Sequence, residues 1–149
     1  MSKDKKKGKG ITMYSMKKMT MKEFTKYKLK KDEFGLYDLK VVTIHLEKDK
    51  PLVCNHPVGS YFTLQGENFS LPEDQPFPLY CIASLLPLLP AKQRMNHPMD
   101  FMETDGHVKC PDPTCGGAFE MQRTGVTIFR NSEVSGALNG VNARKKGKI

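Results

Sequence analysis

Tryptophan is absent from this 149-residue chain, and phenylalanine and tyrosine together supply only 9% of it. With apolar residues at 38% and a negative mean hydropathy, a globular centre is expected, but a modest one. Nowhere do apolar residues run unbroken for the roughly 18 to 20 positions that a membrane-spanning helix requires. The start, MSKDKKKGKG, has a charged run with no apolar segment behind it, which speaks against a secretory signal. Cysteine is scarce, at four residues; without an export signal these are expected to be thiols or metal ligands in a cytoplasmic protein rather than disulfides. Walker loop, dinucleotide fingerprint and Ser-His-Asp signature are all missing, and the carboxylates of GEN, PED and METD form no constrained pair. The chain is therefore expected to be non-catalytic on its own, and its length suits a single domain plus tails.

Charge is present, but unevenly. The net +8 conceals twelve lysines against Asp4 and Glu23 in residues 1–31, fourteen acidic against eight basic residues in 32–140, and four basic residues in ARKKGKI at the end. An acidic body with basic tails can hold a polyanion loosely through counterion release, RNA included, with little sequence specificity. Solvated tails and docking on an acidic protein are the competing readings. Composition divides the chain into a basic, Met- and Lys-rich arm over residues 1–33, partly helical or disordered, a small domain over 34–130 and a flexible basic tail over 131–149. Within the arm, Thr20 and Glu23 fit a capping box ahead of MKEFTKYKL. Five of the nine methionines, Met1, Met13, Met16, Met19 and Met21, also lie there, and flexible Met side chains suit an adaptable contact surface.

The body reads as strands with one apolar helix. LYDLKVVTIHL predicts a strand with Leu36, Val42, Ile44 and Leu46 among its apolar positions. YFTLQG predicts a second, with Phe62 and Leu64 opposite Tyr61, Thr63 and Gln65, bracketed by turn residues Gly59 and Gly66. A short buried helix is expected from Pro78 to about Pro87, where the missing backbone donor ends it. His107 to Cys110, GAFEMQR and an edge strand at Val126 to Phe129 complete an α+β arrangement: a small antiparallel sheet with the helix on one face and a zinc-ribbon-like metal site.

Two segments supply paired ligands, CNH with Cys54 and His56, and CPDPTC with Cys110 and Cys115. Together they form a Cys3His set of the kind that tetrahedral structural zinc accepts. Gly116 and Gly117 suit a knuckle, because glycine turns backbone amides toward sulfur at little cost. An iron-sulfur cluster is the less favoured cofactor, since the two-residue cysteine spacings typical of clusters are missing. His97 and His107 are alternative ligands but read first as solvated loop histidines. Cys81, inside the apolar helix, reads first as a small packed hydrophobe, with ligation as the lesser alternative. A thiol or redox enzyme using Cys54 or Cys110 would need a base in reach, which Cys-x-His in one extended segment does not guarantee.

The runs CNHPVGSYFTL, LYCIASLLPLLPAKQR and CPDPTCGGAFEMQR, in this order over residues 36–123, resemble a family of small uncharacterised Cys/His-containing domains found chiefly in anaerobic bacteria and archaea. Cys54, His56, Gly59, Cys110, Pro111, Asp112, Pro113, Phe119 and Arg123 match that family's order, while Cys115 departs from its pattern. The resemblance implies an accessory chain beside a larger enzyme. The expectation is thus a zinc-stabilised subunit of a cytoplasmic complex, an anaerobic carboxylase or oxidoreductase, with RNA binding through the basic tails as the main alternative.

Overall fold

The computed structural model describes residues 16–135. A six-stranded antiparallel sheet dominates it, built from β1 (Lys17–Met19), β2 (Glu33–His45), β3 (Tyr61–Gln65), β4 (Asn68–Ser70), β5 (His107–Lys109) and β6 (Gly117–Arg130). The order is β1-β6-β2-β3-β4, and β5 pairs with β6 as well. Five short helices decorate the sheet: α1 (Met21–Phe24), α2 (Leu79–Leu85), α3 (Leu89–Lys92), α4 (Phe101–Thr104) and α5 (Asn131–Val134). This is the expected α+β class. None of these helices is long and apolar enough to cross a membrane.

The long β2 and β6 pair along their whole length, from Glu33 opposite Arg130 to His45 opposite Gly117. The sequence suggests two strands where β6 is one, because Thr124-Gly125 reads as a break. In the fold, Asp38 faces Gly125 while Leu39 faces Arg123, so Thr124 is the extra residue of a β-bulge. A bulge adds one residue to one strand and shifts its side-chain alternation by one. Phe119 and Met121 at odd positions and Val126 and Ile128 at even ones are therefore all buried. Nor is the 126–129 segment an edge: β1 pairs with it on the side away from β2. Gly125 permits that approach, since a Cβ there would lie 2.7 Å from the Met19 carbonyl oxygen.

The main core joins Leu39, Val41, Phe62 and Leu64 with Phe119 and Met121 of β6, under Cys81, Leu85 and Leu89 of α2 and α3. Leu39 and Val41, rather than Val42 and Ile44, carry β2's share. Around 16 largely buried apolar side chains make this a small core, in keeping with the missing tryptophan. Pro78 caps α2 without a side-chain hydrogen bond, and α2 runs on to Leu85, short of Pro87. A second cluster, Met19 with Val126 and Ile128, is covered by Met21, Phe24, Tyr27 and Leu29. Part of the basic arm thus belongs to the sheet. The Thr20–Glu23 capping box forms as expected, and both Gly59 and Gly66 adopt positive φ, 92° and 58°.

Two polar knots, one buried and one half-buried, fix the helices and the bulge. Asp38 Oδ1 accepts hydrogen bonds from the Gly66 amide at 2.9 Å and the Thr127 hydroxyl at 2.7 Å. Arg123, from β6, clamps the Glu103 carboxylate with two nitrogens, donates to the Lys92 carbonyl at 2.9 Å and lies 3.9 Å over the Tyr37 ring. Lys92 itself is buried, and its ammonium donates to the carbonyls of Met102 and Asp105 at 2.6 and 2.7 Å. The end of α3 is thereby tied to α4 and to the approach to β5.

Candidate metal centre

The thiols of Cys54, Cys110 and Cys115 converge, their sulfurs all within 4.8 Å of one another. Cys54 Sγ lies 3.2 Å from Cys115 Sγ and 3.4 Å from Cys110 Sγ. All are free thiols, far from the roughly 2.05 Å of a disulfide bond. Four sulfurs bound tetrahedrally at about 2.3 Å from zinc would lie about 3.8 Å apart, so the two spacings from Cys54 need only a slight expansion to admit an ion.

The local chain explains this convergence. Between β5 and β6, the Asp112 carboxylate accepts from the Thr114 amide at 2.9 Å and its hydroxyl at 2.7 Å, closing a side-chain turn. The Cys115 amide then donates to the Asp112 carbonyl at 3.1 Å, and the Cys110 amide to that of Gly117 at 3.0 Å. Gly116 locks this loop to the one after β2: its amide donates to Pro51, and its carbonyl accepts from Leu46 and Glu47. A Cβ at Gly116 would lie 2.3 Å from the Glu47 carbonyl oxygen, so only glycine fits. His45 joins the same seam by donating from Nε2 to the Lys50 carbonyl at 2.8 Å.

Electrostatics sets Cys115 and Cys54 apart. Burial acts to raise Cys115, but hydrogen bonding with the Cys54 thiol and the backbone amides of Gly117, Val53 and Cys54 outweighs it and brings the thiol down to about 7. The Gly117 amide stands 3.3 Å from its sulfur. Cys54 moves the opposite way: burial raises it first, and its sulfur neighbours Cys115 and Cys110 add to the rise. With no cation near, ionisation is thus favoured at Cys115 and opposed at Cys54. A divalent cation removes that conflict by stabilising every thiolate at once.

Of the four ligands expected from the spacing, three are together and His56 is elsewhere. The His56 ring is buried, lies parallel to Phe119 with centroids 6.0 Å apart, and sits 4.9 Å from Phe77. Its Nε2 is hydrogen-bonded to Thr43 Oγ1 at 2.8 Å, its Nδ1 has no partner, and burial holds its pKa below the ordinary value. The alternation of Cys54 and His56 along one segment gave no warning that the turn at 54–56 sends the imidazole into the core. His97 and His107 are exposed.

Cys81 lies on the same side as the three thiols and was the residue that composition hid. Its surroundings in sequence are apolar, and it does pack in the core at 4% exposure. Yet it lines one cavity with Cys54 and Cys110. Burial first, then the neighbouring Cys110 thiol and the charge of Cys115, push its thiol up to about 11. It stands outside the group whose sulfurs are all within 4.8 Å.

Three close cysteines can hold a metal ion, and nothing in their geometry names which. No protein-family model, curated protein or solved structure matches this chain.

Proposed function

We propose that the chain is a zinc-stabilised, non-catalytic accessory subunit that works by binding another protein in a reducing, cytoplasmic setting. The observation that carries the reading is the amide-lined thiol group of Cys54, Cys110 and Cys115. Sulfur-rich sets with amide support suit zinc in a structural role. Iron would need the same thiolates, but the spacing that cradles a cluster is missing. Thiol catalysis fits poorly: Cys115, brought down to about 7, is buried at 3% exposure, while the more accessible Cys54 is pushed up, and a nucleophile must be both ionised and reached.

A partner surface is supported by α2, where Leu79 and Tyr80 are 75% and 82% exposed and Leu86, just beyond its end, is bare as well. Exposed apolar residues grouped on one helix are a feature of interaction sites. The test is the size of the endogenous protein in native extract by gel filtration. An elution well above 17 kDa that returns to monomer size in Leu79→Lys/Tyr80→Lys is expected; monomer in the unaltered protein contradicts the reading.

A second reading, polyanion binding, is favoured by a separate observation. Seven lysines between residues 17 and 31 (Lys17, Lys18, Lys22, Lys26, Lys28, Lys30 and Lys31) are all exposed. Meanwhile Met19, Met21, Phe24, Tyr27 and Leu29 pack against the sheet. The charge is thus presented from a fixed scaffold rather than a loose tail. RNA affinity that falls steeply with salt and disappears on replacing four of these lysines by glutamine supports it; salt-independent binding removes it.

A further inference from the structure

We infer that Cys81, on α2, is the fourth ligand of the metal centre and completes a four-thiolate cage with Cys54, Cys110 and Cys115. The inference rests on the metal-centre reading above and deepens it by deciding between a closed and an open site.

Three thiolates from two loops leave one position of a tetrahedron free. Beside them lies a cavity of about 400 Å³ whose lining includes Cys54, Asn55, Tyr80, Cys81, Cys110 and Asp112. Few of these can bind a soft cation. Asp112 is engaged by Thr114 through two hydrogen bonds, an asparagine amide is a weak zinc ligand, and Tyr80 is 82% exposed. Cys81 remains, a buried sulfur on the cavity wall beside the other thiols. His56 is held by Thr43 and its aromatic neighbours, so recruiting it would break a buried packing arrangement.

The Cys81 sulfur stands outside the group whose sulfurs are within 4.8 Å of one another, so it must move closer to bind the same ion. The outer residues Leu79 and Tyr80 make few demands on that movement, being exposed. Each ligand thiol gives its proton to solvent as it binds. The result is a cage with no place for a water nucleophile, and a bond that ties α2 to the loops after β2 and before β6. That bond fixes the orientation of the exposed α2 face on which the proposed partner docks.

X-ray absorption at the zinc edge of the full chain, loaded with zinc alone, reads the ligands directly, because zinc-sulfur bonds of about 2.3 Å are resolved from zinc-nitrogen bonds of about 2.0–2.1 Å. Four sulfurs are expected in the unaltered protein and in His56→Gln. Cys81→Ser is expected to lower zinc affinity by more than about 100-fold, beyond the 10- to 100-fold typical of a group that only supports a ligand. Three sulfurs with one nitrogen or oxygen overturn the inference while leaving the three-thiol centre standing. No bound zinc at all overturns both. Because the unaltered protein decides the sulfur count, a Cys81→Ser variant that fails to fold does not block the test.

Discussion

Replacing Gly116 by alanine isolates the seam that holds the thiols together. The new Cβ would lie 2.3 Å from the Glu47 carbonyl oxygen, 2.7 Å from that of Lys50 and 2.8 Å from His45 Nε2. Two of these are backbone atoms in a hydrogen-bonded loop, so the clash must be relieved by parting the strands. Doing so weakens the bonds from the Leu46 and Glu47 amides at 3.0 Å each and the bond from Gly116 to Pro51 at 2.9 Å. At about 0.5–1.5 kcal/mol net for each bond, the loss comes to about 2–4 kcal/mol before any repacking is counted. A domain of this size loses about 4 °C of melting temperature per kcal/mol, which gives a drop of about 8–16 °C in a thermal melt followed by circular dichroism. Gly106 is the control, because a Cβ there meets nothing within 4 Å and the change should stay within about 0.5 kcal/mol. An alanine at 116 that melts with the unaltered protein would refute the account of the seam.

Other perturbations address other parts of the fold. Arg123→Met should cost about 1.5–3 kcal/mol by removing charge-assisted hydrogen bonds to the half-buried Glu103 carboxylate, read by urea denaturation; a loss below about 1 kcal/mol removes the clamp from the account. Its pH signature has a definite sign: hydrogen bonding to Arg123 holds Glu103 below the ordinary carboxylate range. The clamp's stabilisation is therefore fully present above about pH 4.5 and is lost as pH falls through the lowered value; Arg123→Met should lack that component of the acid dependence. Asp38→Ala leaves the Gly66 amide and Thr127 hydroxyl without a partner and should cost about 2–4 kcal/mol in the same assay; a near-neutral result would mean that water replaces the carboxylate. Thr20→Ala removes the α1 cap at about 1 kcal/mol, with faster hydrogen exchange confined to residues 20–29; protection unchanged there would show that the arm is held by packing alone.

Legibility in the sequence followed how local the determinant was. The capping box at Thr20, the alternation of Phe62 and Leu64 and the turns at Gly59 and Gly66 are each specified within a few residues, and each is found; α2 forms too, but it is not the buried helix its apolar run suggests, since only Cys81 and Leu85 are buried while Leu79, Tyr80 and the adjoining Leu86 face outward. The unity of β6 was hidden because its bulge at Thr124 serves pairing with a strand some 85 residues away. β1 was masked by lysines: Lys17 and Lys18 face solvent while Met19 alone carries its burial. The same holds for the metal centre. Proline, aspartate and glycine mark the 110–117 knuckle with its two thiols, and the CNH segment marks the third, Cys54. The place of His56 depends on the aromatic slot of Phe77 and Phe119, and that of Cys81 on how α2 lies across the sheet. Neither is written in the neighbouring residues.

The most direct test of the central claim is metal content by elemental analysis of protein purified without chelator, followed by a thermal melt before and after chelation. One zinc per chain is predicted, lost in Cys110→Ala and Cys115→Ala. Saturation about 1,000-fold above the dissociation constant is worth about 4 kcal/mol, so chelation should lower the melting temperature by about 16 °C. A well-folded protein without metal, whose melt is unmoved by chelator or added zinc, would contradict the account and leave Cys54, Cys110 and Cys115 as packed thiols.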